Sequence, residues 1–288
     1  MLRENASDAS MREGATVTSS EPAQAVDLYG PSYRNLATAL YGDIRREAFG
    51  EDLGQTGWIT GEEQDLFIAW LGLSASSRLL DLACGSGRPT LRIAQRTGCS
   101  ICGIDLNPDG IERARASARE LGLGDRADFR AGDAGRLPFA DGSFDAVTCI
   151  DAINHMPDRP RLFEEWRRVL KPGGRLLFTN PTVLTGAVTN EEIAIRASIG
   201  FFVFVPAGLD EEVLKRVGFE VERAEDRTPN MARNAAGWRA ARAQREAELR
   251  AIEGDESFEG QQRFLATAAI LAEERRLSRI AVLARRRA

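Results

Sequence analysis

The stretch that decides the fold is LLDLACGSGRPTLRIAQRTGCSICGIDLNP, residues 79–108. An apolar run carrying one acid, Asp81, leads into Gly85 and Gly87; a helical pattern follows, and a second apolar run ends at Asp105. Short apolar runs bounded by glycine read as buried strands, and PTLRIAQRT between them as a helix. A strand, a tight glycine turn and a helix form the unit across which adenosine-like ligands lie.

The alternation continues along the chain. Residues 77–83, 99–106, 127–134, 143–151 and 175–181 read as strands, and 89–97, 109–122 and 159–170 as helices, the last closed by KPGG. This order implies an α/β fold: a doubly wound, mostly parallel sheet with crossover helices on both faces. GFEVERAED (218–226) and RLSRIAVLARR (276–286) read as two late strands. Between them lie long helical patterns, one stripe made by Trp238, Ala241, Leu249 and Ile252, another by Phe264, Leu265, Ala268 and Leu271. Both stripes read as packing onto the sheet domain, and an insertion beside the carboxyl ends of the strands is placed to serve as a lid. The expected organisation is a disordered tail over 1–26, an N-terminal helical cap over 27–75, and a sheet domain over 76–288 with lid insertions at about 181–210 and 228–275.

Apolar content of 43% and charged content of 28% suit a globular chain with a real core, and the net charge of −5 leaves no basic excess for a nucleic-acid partner. The most apolar run, IGFFVFVPAG (199–208), falls well short of the roughly 20 residues a membrane helix needs, so no membrane partner is expected. Of the four cysteines, Cys99, Cys102 and Cys149 lie in strand-like runs and Cys84 in the glycine turn. That placement favours a reducing, cytoplasmic setting over a disulfide framework, and the lone C-x-x-C lacks the partners of a zinc site.

A dinucleotide fingerprint needs G-x-G-x-x-G/A, whereas the run from Gly85 places Thr90 at the third small position. Asp81 beside the turn would repel a pyrophosphate but suits a ligand with a cationic amine. Asp105 is placed for ribose hydroxyls, and Asp133 of AGDA for an adenine amino group. Three acids at three successive strand ends around a Gly-x-Gly turn form a strong combination.

That pattern, carried by DLACGSG, GIDLNP, GDAGRLPFADGSFDAV, INHMPD and LKPGGRL, resembles the class I S-adenosylmethionine-dependent methyltransferases over roughly residues 50–226. The resemblance implies a Rossmann-like seven-stranded sheet with an antiparallel last strand, and S-adenosyl-L-methionine as cofactor. It assigns Asp81 to the methionine amine, Gly85 and Gly87 to the backbone approach, and Asp105, with Leu106 beside it, to the ribose. Asp133 and Ala134 flank the adenine, Ile150 borders the site, and Ala83 replaces the family's first glycine. Relatives lay a segment such as FGEDLGQTGWIT (49–60) over the methionine end, which makes Trp58 and Thr60 candidate contacts.

Transfer from a sulfonium leaves a neutral thioether and needs no metal. For an acceptor that must lose a proton, His155, four residues after Asp151, forms an acid–imidazole pair if the segment turns helically. The pair also resembles that of the phosphoethanolamine methyltransferases, although Ile150 stands where their arginine precedes the acid. In NEEIAIRASIGFF, a lid helix is expected with Phe201, Phe202 and Phe204 on its inner face; Arg196 is placed to meet a substrate carboxylate, and Trp238 of the later insertion joins this substrate side. The expected activity is methyl transfer to an N, O or C atom of a small, partly apolar molecule of secondary metabolism. An RNA or protein methyltransferase and a non-catalytic binding module stand as alternatives. The N-terminal segment is a candidate homo-oligomer interface.

Overall fold

Parallel strands buried on both faces must be apolar almost throughout. Strand β1 (Arg78–Leu82) obeys this: every residue after Arg78 is buried, including the acid Asp81. The computed structural model describes Asn35 and residues 38–288, so the expected 1–26 tail lies outside the described residues. Around β1 stand β2 (Ser100–Asp105), β3 (Ala127–Ala131), β4 (Phe144–Cys149), β5 (Leu170–Leu184), β6 (Val205–Pro206), β7 (Phe219–Asp226) and β8 (Leu277–Arg286). The spatial order is β3-β2-β1-β4-β5-β8-β7, with β6 pairing β5 off this path. β8 is antiparallel to both β5 and β7; the other pairings are parallel. The Rossmann-like sheet is thus the expected one plus the two-residue β6.

Helices α1 (Ala39–Phe49) and α2 (Gly61–Leu71) precede the sheet. The crossovers are α3 (Arg88–Thr97), α4 (Pro108–Glu120), α5 (Arg159–Val169), a short α6 (Asn190–Arg196) and α7 (Leu209–Arg216). One sheet face packs on Phe163 and Trp166 of α5. The other receives Leu91 of α3, Ile111 of α4 and Phe67 of α2.

The insertion before β8 folds as α8 (Thr228–Ala243), α9 (Glu246–Glu253) and α10 (Asp255–Glu273). Its stripes differ from expectation. Phe264, Leu265 and Ala268 pack on Met231 and Trp58, while Ala241 and Leu249 join Tyr41 and Ile44 of α1. The insertion therefore makes a separate helical layer with the N-terminal segment, and Ile252 is left exposed. Among the described residues no helix is long and apolar enough to cross a membrane.

The glycine turn is tight for reasons internal to the protein. Gly87, which caps α3, has φ +71°, and a Cβ there would sit 2.6 Å from the Cβ of Ala114. Gly103 has no such dihedral constraint, yet a Cβ would press into the Phe129 ring and come within 2.7 Å of the Cys84 sulfur. Gly103→Ala should therefore cost about 1–3 kcal/mol by overpacking alone. Urea unfolding without ligand measures it; an unchanged midpoint would show that β2 can shift away freely.

Candidate functional site

A cleft opens at the carboxyl ends of β1 and β4, the edge of an open α/β sheet where ligands bind. Its floor is the glycine turn with Asp81, Ala83, Gly85 and Thr90; Ile150 closes one side, and residues 54–57 with Gln64 cover it. Ala83 sits in the left-handed region at φ +55°, a backbone conformation that glycine adopts without strain.

Asp81 is the buried charge of this cleft. Its oxygens accept hydrogen bonds from Thr90 and from Thr148, the latter at 2.7 Å. No cation pairs with it among the described residues. Burial raises its carboxyl to about 6; the two hydroxyls oppose the rise and Asp105 adds to it. A buried carboxylate held only by hydroxyls is a fitting receptor for an amine cation. Thr90, which breaks the dinucleotide fingerprint, thus has work of its own.

Asp105 accepts from the backbone N–H of Gly85 and of Asn107, each at 2.8 Å, which orients the carboxylate at the end of β2. Burial raises its carboxyl, and the two N–H groups oppose the rise. Leu106 beside it is 74% exposed, an apolar side chain open to an occupant. Asp133 is exposed and accepts from the Gly135 N–H, whereas Ala134 is buried with its carbonyl taken by the Trp166 indole. Acids, glycine turn and uncovered Leu106 together fit the adenosine and methionine parts of S-adenosylmethionine.

Beyond Ile150 the structure departs from the spacing argument. Asp151 has φ +54°, and a 3-10 turn, Ile153–His155, follows instead of an α-helix. The i, i+4 face is lost, and the expected Asp151–His155 pair with it. Asp151 accepts from Arg279 Nε at 2.6 Å, from Thr179 Oγ1 at 2.7 Å and from the Trp58 N–H at 2.7 Å. Arg279 also reaches Glu63 at 2.7 and 2.8 Å, and Arg227 joins Glu63 from the rim at 2.9 Å. Burial would raise Glu63, but the two guanidinium groups hold it below its ordinary value. Asp151 is therefore a positioning residue: it supports the covering segment, and a Cβ on Gly57 would touch its carboxylate at 2.7 Å.

His155 is bonded elsewhere. Its Nδ1 lies 2.8 Å from the Phe201 carbonyl and its Nε2 3.3 Å from Asn154 Nδ2. A carbonyl only accepts, so Nδ1 carries the proton and Nε2 is the basic nitrogen. Burial lowers the imidazole below its ordinary value, with the charge of Arg196 adding to that and the Phe201 carbonyl opposing it.

The helix expected over NEEIAIRASIGFF stops at Arg196, sooner than its pattern suggested, so Phe202 and Phe204 follow in irregular chain. Their rings stack 6.3 Å apart, and Phe202 meets His155 edge-on at 4.8 Å. Phe201 points outward at 60% exposure, which removes its side chain from the expected inner face. Arg196 is buried over the Phe264 ring. Trp58 stacks on Phe264, and Trp238 stands behind Trp58. Thr60 is spent on capping α2, accepting from the Glu63 N–H, and faces a second cleft instead. Sequence reading missed Arg279, a cation interrupting an apolar strand, and Phe264, which reads as packing.

A family model described as a methyltransferase domain matches residues 80–178. The chain is 34% identical over 198 residues to the 27-O-demethylrifamycin SV methyltransferase of Amycolatopsis mediterranei (strain S699), covering 65% of this chain and 73% of that protein. It is 31% identical over 210 residues to the sterol 24-C-methyltransferase ERG6B of Gibberella zeae, covering 67% of this chain but only 54%, about half, of that one. In fold it matches a solved phosphoethanolamine N-methyltransferase 2 of Haemonchus contortus, in complex with phosphomonomethylethanolamine and S-adenosylhomocysteine. There the TM-score is 0.75 at 21% identity, over 91% of this chain and 61% of that chain.

The raised carboxyl of Asp81 carries a signature in the ligand-free protein. Its stability contribution is full below the ordinary carboxylate range and is lost as pH rises through about 6. Asp81→Asn should accordingly stabilise the free protein by about 1–3 kcal/mol at neutral pH, with the gain fading in acid. Urea midpoints across pH test this, and a destabilised variant at neutral pH would contradict it.

Proposed function

This chain belongs to the class I S-adenosylmethionine-dependent methyltransferases, and we propose that it methylates a small, partly apolar molecule held beneath a lid formed by α6, residues 197–204 and the α8–α10 layer. The observation that carries the reading is Asp81, a buried carboxylate without a cation in a cleft walled by the glycine turn. S-adenosylmethionine, when bound, supplies an electrophilic methyl on a sulfonium that leaves as a neutral thioether. Asp81 would hold the cofactor's amine, Asp105 the ribose hydroxyls, and Leu106, Asp133 and Ala134 would border the adenine. Gly85, Ala83 and Ile150 would line its path.

On the acceptor side, Phe202, Phe204 and Trp58 supply apolar wall, with Trp238 behind it, and Arg196 the charge. His155 takes the acceptor's proton at Nε2, releasing the long contact to Asn154. Its burial keeps it neutral at physiological pH, as a base must be. The rifamycin and sterol methyltransferases among the relatives support a small-molecule acceptor, and the rifamycin relative a place in secondary metabolism. A cytoplasmic setting is part of the same proposal.

Methyl-labelled S-adenosylmethionine incubated with the protein and fractionated host extract tests the reading. Label should enter a small, partly apolar product; label confined to RNA or protein would overturn it. Asp81→Asn should weaken S-adenosylhomocysteine binding in calorimetry by about tenfold, the loss of one charge-assisted contact. His155→Gln should lower turnover by about 10²–10⁴-fold. The wild-type rate should fall only at pH below the ordinary histidine range, and the variant should lack that limb. A variant with the wild-type profile would remove His155 from the proton path.

A further inference from the structure

Among the described residues, five arginines are almost wholly buried: Arg45, Arg159, Arg196, Arg242 and Arg279. Four of them have a carboxylate in reach. Arg45 meets Asp52, Arg159 meets Asp210, Arg242 meets Glu253, and Arg279 meets Asp151 and Glu63, all at 2.6–2.9 Å. Arg196 is the exception. It is 1% exposed, its Nε and Nη1 have no hydrogen-bond partner, and it forms no ion pair among the described residues. Its neighbours are ring faces, Phe264 at 4.3 Å, Phe202 at 5.7 Å and Trp58 at 5.9 Å.

A ring face attracts a guanidinium but does not replace its in-plane fork of N–H bonds to an anion, so the desolvation of this cation is only partly compensated. Burial lowers it to about 9, which leaves it charged at neutral pH.

We propose that Arg196 is the receptor for an anionic oxygen of the acceptor, either a carboxylate or the ionised hydroxyl of an enol or phenol. The inference rests on the lidded methyltransferase reading and narrows its substrate class. The planar fork matches two oxygens at once, and the aromatic surround fits a flat, conjugated body behind them. An ammonium acceptor is excluded from this position by like charge in a poorly screened setting. His155 is close enough to feel the Arg196 charge and shares Phe202 with it. A hydroxyl acceptor would therefore pass its proton to Nε2 of His155 and leave its oxygen lone pair and negative charge facing the guanidinium.

The test uses the full chain saturated with S-adenosylhomocysteine, and three probes in calorimetry: benzoate, 4-nitrophenol and the neutral benzamide. Arg196→Met and Arg196→Lys are compared with wild type, S-adenosylhomocysteine binding reporting that each is folded. Wild type should bind benzoate about tenfold or more tighter than benzamide. The lysine variant should keep part of that preference and the methionine variant none. Bound 4-nitrophenol should absorb as the ionised form to a greater extent than the free probe at the same pH. That shift without benzoate preference assigns a hydroxyl acceptor; the reverse assigns a carboxylate. Without probes, Arg196→Met should melt higher than wild type, because an unpaired buried cation is gone.

Equal binding of benzoate and benzamide, with 4-nitrophenol not shifted, would overturn the inference while leaving the lidded acceptor site in place. A lower melting temperature with unchanged probe preference in Arg196→Met would make this arginine a structural cation over an aromatic stack. No binding of any probe, with S-adenosylhomocysteine still bound, would overturn the acceptor-site reading and the inference together.

Discussion

The site depends on one buried guanidinium. Arg279, wholly inaccessible to solvent in the last strand, is clamped between Asp151 at the end of β4 and Glu63 in α2. Burial works against its charge, but the two carboxylates outweigh that and hold it protonated. Removing one partner of such a set typically costs about 3–5 kcal/mol, because the survivors are stranded in a medium that cannot solvate them. The knot fixes the covering segment to the sheet: Asp151 receives the Trp58 N–H, and Asn234 of α8 donates to the Trp58 carbonyl at 2.7 Å. Sheet, cover and helical layer meet at this point.

Around that knot the charges are unevenly satisfied. Asp81, beside the glycine turn, is an anion with only hydroxyl partners, and Arg196, at the end of α6, is a cation with only ring faces. Both are built at a stability cost. The other buried arginines each have a carboxylate, as in the Arg159–Asp210–Asn180 set, where each oxygen of Asp210 has its donor. Functional sites commonly concentrate the violations that the rest of a fold avoids.

Much of the fold was readable in the sequence, because strands buried on both faces announce themselves as apolar runs and their crossovers as amphipathic stripes. Observed and expected ends differ by one or two residues for β1, β2, β4 and β7. The Asp81, Gly85 and Asp105 positions were legible for the same reason: strand ends determine where side chains gather. Three things were not. A two-residue strand such as β6 has no period. The Asp151–His155 spacing suggested a shared helical face, but the left-handed backbone at Asp151 and the 3-10 turn after it break the count. Arg279 was visible as a cation in an apolar strand, yet its partners lie 128 and 216 residues away in the chain, a pairing that local pattern cannot reveal.

The placement of β8 between β5 and β7 has a consequence for how the protein is made. A chain emerging from the ribosome presents Asp151 and Glu63 long before residues 277–286, and domains tend to fold as they appear. Until β8 threads into its slot, Asp151 lacks its cation, Glu63 has only Arg227, and the cover over the glycine turn lacks part of its fastening. The nascent protein therefore holds the greater part of a parallel sheet with an open, unclamped cleft. Inserting that one strand joins β7 to the rest of the sheet and supplies Asp151 with its cation in the same step.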